Sequence, residues 1–117
     1  MAAVLLSAFW LWAVRPGMAA YYTRAAWIEL QAGRPSEAVR PLETARRWDP
    51  WYGRAHFFRG EALRLVGQTE EAIRAYAEAL RHHPNDFAAL NSMGFLHRQA
   101  GRAMEALEMY EKALAMK

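Results

Sequence analysis

The chain has 117 residues, 54% of them hydrophobic, and a formal charge of +3, with arginine supplying 13 of its 15 basic side chains. That describes one modest domain with a mild basic balance, short of the clustered basic face that nucleic-acid binding needs, so no nucleic-acid partner is expected. The absence of cysteine excludes disulfides, thiolate metal sites and cysteine nucleophiles.

Residues 1–17, MAAVLLSAFWLWAVRPG, form an apolar leader in which no side chain from Met1 to Val14 is charged. As a helix those residues span roughly 21 Å, short of the ~30 Å hydrocarbon core of a bilayer. Three readings compete. The best fit is the last part of a membrane-spanning helix, with Phe9, Trp10 and Trp12 at the interface and Arg15 at the water boundary. A signal peptide wants an early Lys or Arg, which is missing, and Gly17-Met18-Ala19-Ala20 matches a cleavage site poorly. A run this short also suits a buried helix capping the next unit. Membrane attachment through residues 1–14 is thus the expectation. Arg15, Arg24 and Arg34 come after the segment with nothing basic before it, which places the remainder on the cytoplasmic side. Met1 lies close to the apolar run for a full crossing, so further sequence ahead of it is expected.

Pro16 and Gly17 are expected to break the leader from the next helix. Ala19 to Ala32 has helical spacing in Tyr22, Ala25, Ala26, Ile28 and Glu29 and stops at Gly33. A second helix starts near Pro35-Ser36-Glu37, where proline needs no N–H and Glu37 suits the positive helix end. Val39, Leu42 and Ala45 make its inner stripe. Pro41 predicts a kink or a late start, and Asp49-Pro50 closes the unit.

The next pair repeats this plan. Ala55, Phe58, Ala62, Leu65 and Val66 share one face of a helix, and Ala72, Ile73, Tyr76, Ala79 and Leu80 share a face of the following one. Gly60, Ala72 and Ala79 supply gaps that large side chains of a crossing helix can enter. Arg59, where an apolar residue is expected, packs its stem and keeps its head in water. His82 and His83 fall in a last helical turn, where their partial charge suits the dipole. No third ligand at a useful spacing is visible beside them, so no metal site is expected. Glu70–Arg74 and Glu43–Arg47 have the spacing of solvated surface pairs.

Asn85 and Asp86 are N-cap candidates for a third pair. Its first helix carries Leu90, Met93, Gly94 and Leu96, Gly101 makes the turn, and Ala106, Leu107, Tyr110, Ala113 and Leu114 form the second stripe. Repeat arrays usually finish on a polar helix; none follows here, so either both ends are cut or the uncapped third unit self-associates.

The units share one period. Gly33, Gly67 and Gly101 are 34 residues apart, as are Ala38, Ala72 and Ala106, then Ala45, Ala79 and Ala113. On these residues, with Gly60, Tyr76 and Pro84 in the middle unit and Gly94 and Tyr110 in the third, residues 19–117 resemble the tetratricopeptide repeat. Tyr22, His56 and Leu90 depart from it where tryptophan is favoured, and Glu29, Leu63 and His97 where tyrosine is. The expected fold is all-α: an α-solenoid of antiparallel helix pairs in three such units (residues 19–52, 53–86 and 87–117), preceded by the apolar helix.

The resemblance implies a concave groove, lined by the first helix of each unit, that binds a peptide or partner helix. The groove positions fall on Ala20, Thr23, Trp27 and Leu30, on Arg54, Phe57, Glu61 and Arg64, and on Ala88, Asn91, Phe95 and Arg98. The candidate site is therefore Thr23, Trp27, Arg54, Phe57, Glu61, Arg64, Asn91, Phe95 and Arg98, an aromatic row flanked by arginines. The alternative is that these aromatics pack against the leader or a missing neighbour. Thr23 and Trp27 stand where the family's carboxylate clamp would need Lys and Asn, which disfavours chaperone-tail binding. No G-x-S-x-G elbow, P-loop, G-x-G-x-x-G or H-E-x-x-H occurs, and Ser7, Ser36 and Ser92 lack an activating context, so neither catalysis nor a cofactor is expected. The predicted function is a membrane-anchored, non-catalytic interaction scaffold. The alternative is the repeat tail of a membrane enzyme similar in arrangement to bacterial O-antigen ligases or polymerases.

Overall fold

Three glycines set the turns. Gly33, Gly67 and Gly101 have φ of 75°, 87° and 78°, a left-handed conformation that a Cβ disfavours. Each comes after a helix end in the same motif: the glycine N–H bonds the carbonyl three residues back, and the next N–H bonds the carbonyl five back. In the middle unit these are Gly67 N to Arg64 O at 3.1 Å and Gln68 N to Leu63 O at 2.9 Å. The chain reverses within three residues, so consecutive helices lie side by side.

The computed structural model describes residues 2–116, which form six helices and no strand. They are α1 (Ala2–Gln31), α2 (Pro35–Trp48), α3 (Gly53–Leu65), α4 (Thr69–His82), α5 (Phe87–Gln99) and α6 (Ala103–Leu114). α1 pairs with α2, α3 with α4 and α5 with α6; the pairs stack through α2 on α3 and α4 on α5, and α1 also meets α3. The molecule measures 56 × 31 × 22 Å with a radius of gyration of 16.2 Å. A compact domain of this length has a radius near ~13 Å. The excess reflects serial stacking plus a projecting helix.

That helix is α1, which runs unbroken through Pro16 and Gly17 where a break was expected. Proline's φ is helical; it removes one hydrogen bond and crowds one carbonyl. Pro16 lies in an exposed stretch, and the surrounding Ala and Leu are strong helix formers. From Ala19 onward α1 is held by packing, with Ala19, Thr23 and Ala26 buried on one face. α2 likewise starts at Pro35 and passes through Pro41, so the late start does not occur. The Asp86 carboxylate caps α5 by accepting from Ala89 N at 3.1 Å.

Two core clusters accompany the stacking. Ala19, Ala26, Ala38, Leu42, Ala45, Ala55 and Ala62 form the first, across α1, α2 and α3. Leu63, Ala72, Ala75, Tyr76, Ala89, Met93 and Leu96 form the second, across α3, α4 and α5. Within a pair, contact depends on a small residue facing a large one. A Cβ on Gly60 would lie 2.7 Å from the Tyr76 ring, and one on Gly94 would lie 2.8 Å from the Tyr110 ring. The first unit has Ala26 and Leu42 at the equivalent positions, both fully buried. One larger residue is matched by one smaller.

Some expected stripe residues stay outside. Leu65 and Val66 are exposed because the helix ends beneath them, and Leu107 and Leu114 are exposed because no described helix lies beyond α6. Two carboxylates expected to be local surface partners tie elements together instead. Glu43 pairs with Arg59 across α2 and α3 at 2.9 Å as well as with Arg46, and Glu70 pairs with Arg102 before α6 at 2.9 Å.

Gly60→Ala should destabilise the array by about 1–3 kcal/mol through overpacking against the buried Tyr76 ring, despite the better helix propensity of alanine. Combining it with Tyr76→Leu, the pairing of the first unit, should recover part of that loss. Urea unfolding of the single and double variants measures the coupling.

Candidate partner-binding groove

An open cleft of about 280 Å³ lies between the first helices of units one and two. α1 contributes Ala20, Thr23, Arg24 and Trp27; Tyr52, Arg54 and Phe58 come from the turn before α3 and its first two turns. Helical spacing puts Ala20, Thr23, Arg24 and Trp27 on one side of α1. Trp27 is 44% exposed, a large apolar surface left in water. The Arg54 guanidinium lies 5.7 Å from the Phe58 ring centre, over its face. Neither Arg24 nor Arg54 has a carboxylate partner among the described residues.

The nine residues named from sequence separate into four groups. Thr23, Trp27 and Arg54 line this cleft, although Thr23 is buried and its hydroxyl donates to Ala19 O at 2.7 Å. Thr23 is wall, not contact. Glu61 and Arg64 are turned on each other and on the core. The Glu61 carboxylate accepts from Arg64 at 2.8 Å, from the Tyr76 hydroxyl at 2.5 Å and from the Ser92 hydroxyl at 3.4 Å. Asn91 and Arg98 lie on α5, with the Arg98 guanidinium 5.5 Å from the Phe95 ring.

Phe57 and Phe95 are half-buried and pack against the second core cluster. Phe57 also meets Phe58 at 5.5 Å and Tyr76 at 5.8 Å, so it joins the groove wall to the interior. Arg24, Tyr52 and Phe58 line the cleft without having been expected there. Phe58 reads as stripe by spacing, and Tyr52 precedes its helix, so periodicity gives no sign of either.

Burial, then the hydrogen bond to Glu61, raises the Tyr76 phenol well above its ordinary pKa, so it remains a donor. The Glu61 hydrogen bond raises Arg64 as well, against desolvation. The Glu61 carboxylate thus binds α3 to α4 through Tyr76 and reaches α5 through Ser92.

Helix pairs stacked in series, with first helices lining an open cleft, define a class: the helical-repeat interaction scaffold. The chain belongs to the tetratricopeptide repeat family, whose model matches residues 29–94. It is 40% identical over 81 residues to cellulose synthase 2 operon protein C of Komagataeibacter xylinus, covering 68% of this chain and 6% of that protein. It is 38% identical over 60 residues to the probable UDP-N-acetylglucosamine–peptide N-acetylglucosaminyltransferase SPINDLY of Arabidopsis thaliana, covering 51% of this chain and 7% of that one. The chain therefore spans a small fraction of these relatives.

Among solved structures, MamA from Desulfovibrio magneticus RS-1 superposes with a TM-score of 0.80 at 22% identity, over 88% of this chain and 58% of that one. The second tetratricopeptide repeat domain of Spaghetti (RPAP3), bound to the HSP90 peptide SRMEEVD, gives 0.82 at 17% identity, over 86% and 93%. At these identities the likeness is one of fold.

Glu61→Ala should cost about 1–3 kcal/mol by leaving the buried Tyr76 hydroxyl without its acceptor, whereas Tyr76→Phe, which removes the hydroxyl itself, should cost about 0.5–1.5 kcal/mol. Chemical denaturation ranks the two. A groove-contact role for Glu61 would instead leave stability unchanged and alter binding only.

Proposed function

We propose that the cleft between α1 and α3 binds a peptide segment presenting an apolar side chain next to an acidic group. The observation that carries this reading is the exposed Trp27 beside two arginines, neither with a carboxylate partner among the described residues. An apolar side chain on the indole removes water from it, and a carboxylate can bridge to Arg24 or Arg54. The third unit continues the surface with Asn91, Phe95 and Arg98. The buried Thr23, its hydroxyl already committed, supports a mode of recognition other than a carboxylate clamp.

A second observation concerns attachment. Val4, Leu5, Leu6, Phe9, Trp10, Leu11 and Trp12 are all more than half exposed, and residues 3–31 are long and apolar enough to cross a membrane by length and composition. Only the part before the buried Ala19 is free to do so, roughly 24 Å of helix. Our reading is that this part anchors the array, with the repeats on the side of Arg15 and Arg24, the cytoplasmic side by the positive-inside bias. Met104, Leu107 and Leu114 leave an apolar face on α6 that supports self-association or a further unit.

The test is a synthetic peptide array of acidic–apolar sequences, each beside its Asn/Gln analogue, probed with the full chain. Trp27→Ala should weaken the best binders by about tenfold or more, and the amide analogues should bind less well than the acids. Undiminished binding by Trp27→Ala, or no preference for the acids, removes the cleft assignment.

A further inference from the structure

Three side chains from the two helices of the second pair meet outside the cleft. Glu78 and His82 are four residues apart on α4 and so share a face; His56 reaches them from the start of α3. One ligand atom from each lies within 4.8 Å of the other two.

His56 is only 4% exposed, and its Nε2 lies 2.8 Å from Pro50 O. A carbonyl can only accept, so Nε2 carries the proton and donates. Nδ1 remains buried with no hydrogen-bond partner. An orphaned buried acceptor is costly, and an absent ion is one of its ordinary explanations. Metal-ligating histidines nearly always donate their other ring N–H to a carboxylate, carbonyl or water, which is the arrangement His56 has. Burial lowers the pKa of this ring, with His82 and Arg59 adding to the effect against the Pro50 bond and Glu78.

The other two members are adjustable. The His82 ring stacks on His56 at 5.5 Å with a 17° interplanar angle and meets Trp51 edge-on at 5.2 Å. It is half-buried and can turn about its Cβ–Cγ bond, as in-plane coordination requires. Arg81 holds Glu78 through Oε1 at 3.0 Å, leaving Oε2 for an ion. Arg46, Arg59 and Arg74 line the adjoining hollow and oppose a cation, but Arg59 is paired with Glu43, and Arg46 with Glu43 as well.

We propose that His56, Glu78 and His82 bind one divalent transition-metal cation of the zinc class, with the remaining coordination position open to water or to a ligand from a partner. Two imidazoles and one carboxylate suit zinc, cobalt or nickel; calcium and magnesium prefer all-oxygen sets. Zn–N and Zn–O bonds of ~2.0–2.2 Å draw the three donors closer than they stand without the ion. Bound metal fastens the start of α3 to the end of α4, closing the second unit.

The test uses the full, tag-free chain with Zn²⁺ and Co²⁺ as probes. One equivalent of each should bind saturably, with visible d–d absorption from Co²⁺ and a raised melting temperature with Zn²⁺. His82→Ala and Glu78→Gln should each weaken Zn²⁺ binding by about tenfold or more. Both side chains are partly exposed, and circular dichroism establishes that the variants remain helical. His83→Ala should leave binding unchanged, because His83 packs against Gly53 outside the cluster. No saturable binding, undiminished binding in either cluster variant, or an equal loss in His83→Ala overturns the proposal.

Discussion

The architecture depends on how closely two helices of a unit can approach. Gly60 lies under the Tyr76 ring and Gly94 under the Tyr110 ring at separations that leave no room for a Cβ. In the first unit Ala26 and Leu42 share the work differently, with more volume on one helix and less on the other. Interiors are packed to crystal-like density, so such exchanges must be matched in pairs. The aromatic ring then does more than fill space. Its hydroxyl reaches the Glu61 carboxylate, and Glu61 also accepts from Ser92 of the next unit. One contact therefore closes a pair and starts the stacking of the following pair.

Stacking decides where the proposed binding surface can be. Once α3 is set against α1 and α2, Trp27 and Arg54 face the same hollow, while Glu61, at the repeat position equivalent to Trp27, is consumed with Arg64 by the inter-unit network. The groove is not uniform along the array. Its open, aromatic and positively charged part lies between the first two units; further along, Phe57 and Phe95 turn partly inward.

The uninterrupted α1 joins the proposed anchor to the proposed cleft. Ala19, Thr23 and Ala26 fix its second half in the repeat core, while the apolar side chains from Val4 to Trp12 are exposed. A helix transmits orientation along its axis, so an anchor holding the leader also aims the cleft. A flexible joint at Pro16 and Gly17 would have separated these roles.

The periodic part of the fold was legible in the residues. The 34-residue spacing of Gly33, Gly67 and Gly101 marks the left-handed turn positions, Asp86 announces a cap, and glycine against tyrosine at fixed offsets marks the crossings. These signals are local or repeat in phase, so order along the chain suffices to read them. The site was only partly legible. Trp27 and Arg54 could be placed by repeat position, but the retirement of Glu61 and Arg64, the recruitment of Tyr52 and Phe58, and the meeting of His56 with Glu78 and His82 depend on side-chain directions across neighbouring helices. The same holds for Pro16: its residue type argues for a break, yet α1 runs through it, because at an exposed position a proline costs one hydrogen bond without forcing the helix to end. Sequence determined the spacing and the shape of each unit; tertiary contacts decided which polar groups remained free, because every inter-unit bond withdraws a donor or acceptor from the surface.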